Sequence, residues 1–355
     1  MKVLLINNYP MDQAWRLWKQ GDYPGNHLFG MTHIDRHGFQ PVIPPYRKYG
    51  WLASLGRGSR LGDLDQQVRA LFEDCDVIYA ASQFDSLALA TLRAAGVLRK
   101  PLVGTIHGPF RPGLERRIAA GPYARGHDMM VCLGPELERH MREDVGVPAR
   151  KLECFGWGID LDFYRRDLVT PPPEGPPRIL TAGKAGRDFE TLIRAVDGLA
   201  CRLCVVTAGR YAPARRALPP NVELIVGPWD GFALTYPELL AMYQRATLVA
   251  IPLVWSQTPR GQTGNTSLLE AMAMGRPALM TRHDLLAFDV ETEGVGLWVD
   301  PGDVAGWRRA IQRLLADPQE ARRMGGRGRM LCETRYNMDV FAAGLARVLC
   351  RVISR

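Results

Sequence analysis

One carboxylate stands where a run of small polar residues passes into a helical pattern. It is Glu270 in "GQTGNTSLLEAMAMGRPALM", residues 261–280. The preceding "TLVAIPLV" is strand-like, so the stretch reads as strand, loop, helix, strand, with Glu270 in the first turn of the helix. A helix start exposes unpaired N–H groups and the positive end of the dipole. Gly264, Asn265, Thr266 and Ser267 are small enough to let an anion reach that backbone. Two roles fit Glu270. Ser267-Leu-Leu-Glu270 has the spacing of a capping box, with the carboxylate folded back on the N-cap amide. A carboxylate also repels phosphate yet accepts well from two adjacent hydroxyls, such as a ribose diol. The second role lays a nucleoside diphosphate across the helix start, ribose on Glu270 and phosphates on the amides.

A diphosphate placed there needs cations from a neighbouring strand end. "RILTAGKAGRDFETL" supplies them, with Lys184 and Arg187 in a Gly-containing turn between strand and helix. Arg offers a fork and Lys a point charge. Solvated loop cations would have the same sequence. Trp229 in "GPWDG" can stack on a base or simply pack. His27, His33 and His37 recur near helical spacing, but no Cys or acid cluster completes a metal site around them.

The elements that must hold these residues alternate. In the first half, "KVLLIN", "QPVIP", "DVIYA", "PLVGTIHG", "DMMVCLG" and "LECFGWG" read as strands. Helical patterns over "NHLFGMTHIDRHG", "LDQQVRALFED" and "DSLALATLRAAG" fall between them. Alternation of this kind predicts a parallel sheet with helices on both faces. "TPPPEGPP", residues 170–177, carries five prolines in eight residues and is the natural linker. The alternation then restarts through "RILTAG", "RLCVVTAG", "NVELIVG", "TLVAIPLV", "PALMT" and "GLWVD", and the chain ends in helices. Two doubly wound halves result. Ligands of such sheets bind outside the carboxyl ends of strands, which points to the cleft between the halves.

Composition narrows the classes. The chain has 355 residues, 46% apolar and 23% charged, with a net charge of +8 spread over scattered arginines. That surplus suits phosphorylated ligands or an anionic membrane surface. No zinc-finger, homeodomain or RNP pattern supports nucleic acid. Seven cysteines without framework spacing suggest reduced thiols in the cytoplasm. The start "MKVLLINNYP" reads as a first strand and not a signal peptide, and no apolar run is long enough to span a membrane. The basic, aromatic segment "YRKYGWLASLGRGSR", residues 46–60, reads as a loop able to touch a membrane surface or an acceptor.

The second half resembles the donor domain of the retaining GT-B glycosyltransferases of family four, the glycosyl transferases group 1. The likeness rests on "ILTAGKAGRDFETLIRAV", "NVELIVGPWDG", "LLAMYQRATLVAIPL" and "TSLLEAMAMGRPALMT". It extends to "CFGWGIDLDFY", similar to the Gly-x-Asp segment closing the first domain, and to "PGNHLFG" and "GTIHG" in the first half. The resemblance implies an α/β GT-B fold of two Rossmann-like domains facing a central cleft. Residues 1–170 would form the acceptor-side domain, 171–177 the linker and 178–336 the nucleotide-sugar domain, with a C-terminal helix over 337–355 packing back on the first. It implies transfer of a sugar, with retention and without a metal, from a nucleoside diphosphate sugar such as a UDP-sugar to an acceptor hydroxyl. The acceptor would be a glycan, a lipid-linked molecule or a small natural product, and no separate cofactor is implied.

By the same resemblance Glu270 holds the ribose, Lys184 and Arg187 the diphosphate, and His107 faces the transferred sugar. Gly25 is the glycine that approaches the donor, displaced by a longer loop. Gln262 stands eight residues before Glu270, where the family often has a first acid. Glutamine can still bond sugar hydroxyls but carries no charge. Two other functions fit the architecture: a sugar-nucleotide epimerase or hydrolase, and a non-catalytic nucleotide-sugar-binding partner protein.

Overall fold

A computed structural model of the chain describes every residue except 60–62, 84, 185, 210, 214–216, 229–233, 255–260 and 355. Trp229 therefore lies outside the described residues. The chain divides into two compact units, one of Met1–Gly158, Leu285–Ala287 and Asn337–Arg355, the other of Ile159–Asp284 and Phe288–Tyr336.

Parallel strands form in both units, the inner ones from consecutive apolar residues covered on both faces and the edge ones, such as Gln40–Val42 and Leu152–Cys154, more exposed. In the first unit these are β1 (Lys2–Ile6), β2 (Gln40–Val42), β3 (Val77–Ala80), β4 (Leu102–Ile106), β5 (Met129–Cys132) and β6 (Leu152–Cys154). They form one parallel sheet in the order β2-β1-β3-β4-β5-β6. Alternation along β1 divides its side chains, with Val3 and Leu5 in one core and Leu4 and Ile6 in the other. Helices α1 (Met11–Lys19), α2 (Gly50–Ser59), α3 (Leu64–Phe72), α4 (Leu87–Ala94), α5 (Leu114–Ile118), α6 (Ala124–Gly126) and α7 (Pro135–Arg139) belong to this unit.

The second unit repeats the plan. Its strands are β7 (Arg178–Ala182), β8 (Arg202–Ala208), β9 (Val222–Gly227), β10 (Leu248–Ile251), β11 (Ala278–Thr281) and β12 (Gly296–Val299). Their order is β12-β11-β10-β7-β8-β9, again all parallel. Its helices are α8 (Phe189–Val196), α9 (Tyr236–Arg245), α10 (Asn265–Ala273), α11 (Val304–Ala316) and α12 (Pro318–Thr334). Helix α13 (Met338–Ile353) returns to the first unit, where Phe341, Leu345 and Leu349 are buried in the same core as Met31 and Phe39.

The strand order reverses once in each sheet, between β1 and β3 and between β7 and β10. Those two switch points are where the carboxyl ends of neighbouring strands send their loops apart and leave a crevice.

Four local expectations change. The segment 26–38 is not one helix but two 3-10 turns, Gly25–Leu28 and Ile34–His37. Phe29 and Gly30 between them have φ of 51° and 89°, which no α-helix accommodates. The longer loop before Gly25 contains α1, and the segment expected as a loop at 46–60 contains α2. The chain crosses between units after Gly158, and residues 171–177 lie within the second unit, without helix or strand. The residues just before them are tied there: Arg276 donates to the Thr170 carbonyl at 2.6 Å. A Cβ on Gly275 would also meet Val169 at 2.7 Å. Clustered prolines break regular structure without marking where one unit ends.

Candidate active site

The second switch point is built from two loops. One leaves β7 at Ala182 and enters α8, whose N-cap Asp188 accepts from the Thr191 amide at 3.2 Å. Arg187 turns back across the strand end, with Nη2 3.1 Å from Ser267 Oγ and 3.3 Å from the Ala182 carbonyl. Gly183 makes room for this: a Cβ there would lie 2.4 Å from Arg187 Nε. Lys184, in the same turn, is exposed.

The other loop leaves β10 and enters α10. Gly264 is its N-cap, at φ 88°, and a Cβ there would press on Ile251 and Met280 at 2.8 Å. Glycine is required for both reasons. Asn265 is buried and donates from Nδ2 to Gln262 Oε1 at 3.1 Å. Thr266 is half-buried in the first turn. Ser267 is buried and donates to the Ala182 carbonyl at 3.1 Å, so the start of α10 is stitched to the end of β7. Gly186 of the first loop also faces Thr263 of the second, its built Cβ 3.1 Å from Cγ2.

Because the helix starts at Asn265, Glu270 lies in its second turn and not its first. The capping box over Ser267–Glu270 does not form, and no side chain caps this helix. The Glu270 carboxyl is buried, 4% exposed, and each oxygen accepts one tyrosine hydroxyl: Tyr164 at 3.0 Å and Tyr243 of α9 at 2.7 Å. Burial pushes its pKa up to about 7, while the two hydroxyls and the charge of Arg187 pull the other way. Burial likewise lowers Arg187 to about 10, which leaves it charged at neutral pH. The result is a connected line from Tyr164 through Glu270 and Tyr243 towards Ser267, Arg187 and the end of β7.

Two further arginines hold the line in place. Arg329 of α12 donates to the Tyr164 carbonyl at 2.5 Å and to that of Ala273 at 2.7 Å. Arg276 donates to the carbonyls of Tyr243, Thr170 and Gln244. Both fix the segment carrying Tyr164 against α10. None of Tyr164, Tyr243, Arg276 and Arg329 was expected at the site. Tyr164 lies 106 residues from Glu270 in the chain and Tyr243 lies 27, so no spacing joins them.

In the first unit, His107 follows β4 directly. Its ring Nε2 lies 2.5 Å from the Ala81 carbonyl. A carbonyl only accepts, so Nε2 carries the proton and Nδ1 keeps its lone pair. Burial lowers the pKa of His107, so the ring is neutral. Gln83 holds the same turn: its Oε1 accepts from the His107 and Gly108 amides at 2.9 and 3.0 Å, and its Nε2 donates to the Gly108 carbonyl at 3.0 Å. Phe29 meets the ring edge-on with centroids 5.7 Å apart, and Trp157 stacks on Phe29 at 5.1 Å. Gly25 is buried at the start of the first 3-10 turn, just after Pro24. Gln83 is a positioning residue that sequence patterns did not flag. Among the described residues, no group of three or more His, Cys, Asp or Glu is arranged to hold a metal.

Two Rossmann-like sheets, each with a crevice at its switch point, define a GT-B fold. The family model for "Glycosyl transferases group 1" matches residues 176–317, and that for "Glycosyltransferase Family 4" matches residues 22–163. The chain belongs to the group 1 glycosyltransferases. It is 26% identical over 328 residues to WcaL of Escherichia coli (strain K12), provisionally described as a colanic acid biosynthesis glycosyltransferase, covering 86% of this chain and 79% of that one. Its fold is similar to sucrose-phosphate synthase from Thermosynechococcus elongatus, with TM-score 0.69, 17% identity and 99% of both chains covered. It is likewise similar to Anabaena Alr3699/HepE in complex with UDP, with TM-score 0.66, 16% identity, and 99% of this chain and 100% of that one covered.

Proposed function

We propose that the protein transfers a sugar from a nucleoside diphosphate sugar to an acceptor hydroxyl, with retention and without a metal. The observation that carries this is the cation pair at the second switch point. Arg187 sits beside the start of α10 and Lys184 stands exposed in the same turn after β7, so both cations and the helix dipole would serve a leaving diphosphate as it gains charge. Arg187 is half-buried and is already oriented by Ser267 and the Ala182 carbonyl. It therefore loses little freedom on meeting a phosphate.

The buried Glu270 would take the ribose hydroxyls, with Tyr164 and Tyr243 holding its two oxygens in register. His107 would present Nδ1 as an acceptor to a sugar hydroxyl, its tautomer fixed by the Ala81 carbonyl. Gln262, neutral and bonded to Asn265, would contribute a hydrogen bond and no charge. Gly25, Gly264 and Thr266 would offer backbone approach to the donor. Seven cysteines that form no disulfide among the described residues suit a cytoplasmic protein.

The test is incubation with UDP-, GDP- and dTDP-sugars, UDP first because the HepE neighbour was solved with it, with and without candidate acceptors. Acceptor-dependent release of free nucleotide and a glycosidic product of retained anomeric configuration is the expected result. An inverted product removes retention. An epimerised donor, hydrolysis without transfer, or tight binding with no turnover would each replace the transferase by one of its rivals.

A further inference from the structure

The second unit has a hollow of about 700 Å³ at the opposite ends of its strands from Lys184 and Arg187. It lies among the starts of β7, β8 and β9 and the last turn of α9, where Arg178, Arg202, Met242 and Arg245 line it. Register sets its chemistry. Arg178 of β7 and Arg202 of β8 are direct partners across the parallel pair, and so are Leu180 and Cys204 two residues on. Alternation puts these four on one face, while Ile179 and Leu203 between them are buried in the core on the other. The hollow thus joins apolar residues, Leu180, Cys204 and Met242, to a set of cations. Burial pushes the Cys204 thiol up to about 12, with the charge of Glu223 adding to the effect, so the thiol is neutral at ordinary pH.

The cations are left over. Partnered strands run about 4.8 Å apart, so the side chains of Arg178 and Arg202 leave the sheet side by side, an arrangement that like charges disfavour. Arg178, Arg202 and Arg245 are all exposed, and none of their side chains makes a hydrogen bond or ion pair among the described residues. Other exposed arginines of this unit do pair, as Arg335 does with Glu293 at 2.9 Å. Glu223, the register partner of Cys204 on β9, is the one acid of the lining among the described residues. Three cations against one acid leave two positive charges.

We propose that this hollow binds a phosphorylated small molecule, its phosphate monoester on Arg178, Arg202 and Arg245 and an aromatic or aliphatic body over Leu180, Cys204 and Met242. The volume is that of a site for an organic ligand. The two surplus charges match a phosphate monoester, which is close to dianionic at neutral pH. A guanidinium fork grips two phosphate oxygens at once, and a bound anion relieves the repulsion between Arg178 and Arg202. Because the hollow is at the amino ends of the strands, its ligand leaves the second switch point open. Binding there does not depend on sugar transfer.

The experiment is calorimetric titration of the full chain with 1-naphthyl phosphate, and separately with 1-naphthol, 1-naphthoate and inorganic phosphate. The naphthyl phosphate should bind at least about tenfold more tightly than each of the others, the scale of losing a charged hydrogen bond or the apolar body. Arg178→Ala with Arg202→Ala should weaken it by about tenfold or more, and Arg245→Ala in the same direction. Arg187→Ala should leave it unchanged. Circular dichroism and melting like the parent's would show that these variants fold. No binding of the naphthyl phosphate, or equal binding by the parent and the Arg178/Arg202 variant, would overturn the proposal. Equal binding of naphthoate would remove the phosphate from it, and loss of binding on Arg187→Ala would place the probe at the second switch point instead.

Discussion

At the carboxyl ends of β1 and β3 the first unit gathers Asn7, Gln66 and Gln83; at those of β7 and β10 the second gathers Lys184, Arg187 and Glu270. The topology is the same and the electrical character differs. Asn7 and Gln66 satisfy each other, the Asn7 amide donating to Gln66 Oε1 at 3.0 Å. The acids of the first crevice turn inward, Asp85 accepting from the Asp63 amide and the Ser82 hydroxyl. His107 stays neutral. The second crevice keeps a charged Arg187 against Ser267 and an exposed Lys184. A parallel sheet thus provides a place for a ligand, while the side chains behind the strand ends decide whether it holds hydroxyls or phosphates.

The largest effect should come from the cations. Arg187→Ala should slow transfer on the order of 100- to 1,000-fold, the scale for losing one preorganised charge-stabilising donor. Lys184→Ala should follow with a smaller loss. Calorimetry should show affinity for the nucleoside diphosphate falling while the bare nucleoside is little affected. Equal losses for both ligands would place the diphosphate elsewhere and break the contrast between the crevices.

His107→Ala tests the neutral side. Turnover should fall on the order of 100-fold, as misorientation at a reacting centre does, with diphosphate affinity kept. Normal turnover per folded molecule, with a lowered melting point, would reduce His107 to a brace for the Ala81 carbonyl. Gln83→Ala should move in the same direction by less, through the loosened 107–108 turn.

Glu270→Ala should weaken nucleotide binding by about 1.5–3 kcal/mol, roughly 10- to 150-fold. It should also lower stability, because the hydroxyls of Tyr164 and Tyr243 lose their acceptor in a buried place. Unaltered affinity together with a lower melting point would confine Glu270 to a structural role.

A subtler effect follows from the protonation of Glu270. Its pKa rises from 4.5 to about 7 on folding. The folded state therefore holds the proton more tightly than the unfolded state. Stability from this group is full below about pH 4.5, declines as pH rises towards about 7, and is level above. Relative to Glu270→Gln, the parent should lose roughly 2 kcal/mol between pH 5 and pH 8. Parallel stability curves for the two proteins would show that the carboxyl is ionised throughout. The smallest expected effect is that of a chelator: turnover in EDTA should stay within about twofold of the untreated rate, and a large loss would put a cation beside Arg187.

The strands were legible because parallel strands buried on both faces leave continuous apolar runs, as "KVLLI" and "LVAI" do. The loop-to-helix start at Gly264 was legible in outline, and so were Lys184 and Arg187 after β7. The register of α10 was not. Ser267 and Glu270 have cap spacing, but the helix takes Gly264, at φ 88°, as its N-cap and starts at Asn265. The tyrosine pair on Glu270 was invisible for a different reason: its members are brought together only by tertiary packing, under Arg276 and Arg329. Helix α1 was missed although Pro10, just before "MDQAWRLWK", is a helix-start signal. The segment 26–38 was misread because its hydrophobic spacing suits a helix while Phe29 and Gly30 adopt left-handed φ.

Helix α13 sets the order in which the protein can be completed during synthesis. The core around Met31 and Phe39 needs Phe341 and Leu345, which leave the ribosome only after the whole second unit. At about 5–20 residues per second, the 178 residues from Ile159 to Tyr336 take roughly 10–35 s. The second unit is contiguous enough to close first, apart from Leu285–Ala287. The first unit, begun earlier, waits with part of its apolar surface uncovered. A nascent chain stalled before Met338 should therefore present a protease-resistant second unit and a protease-sensitive first one.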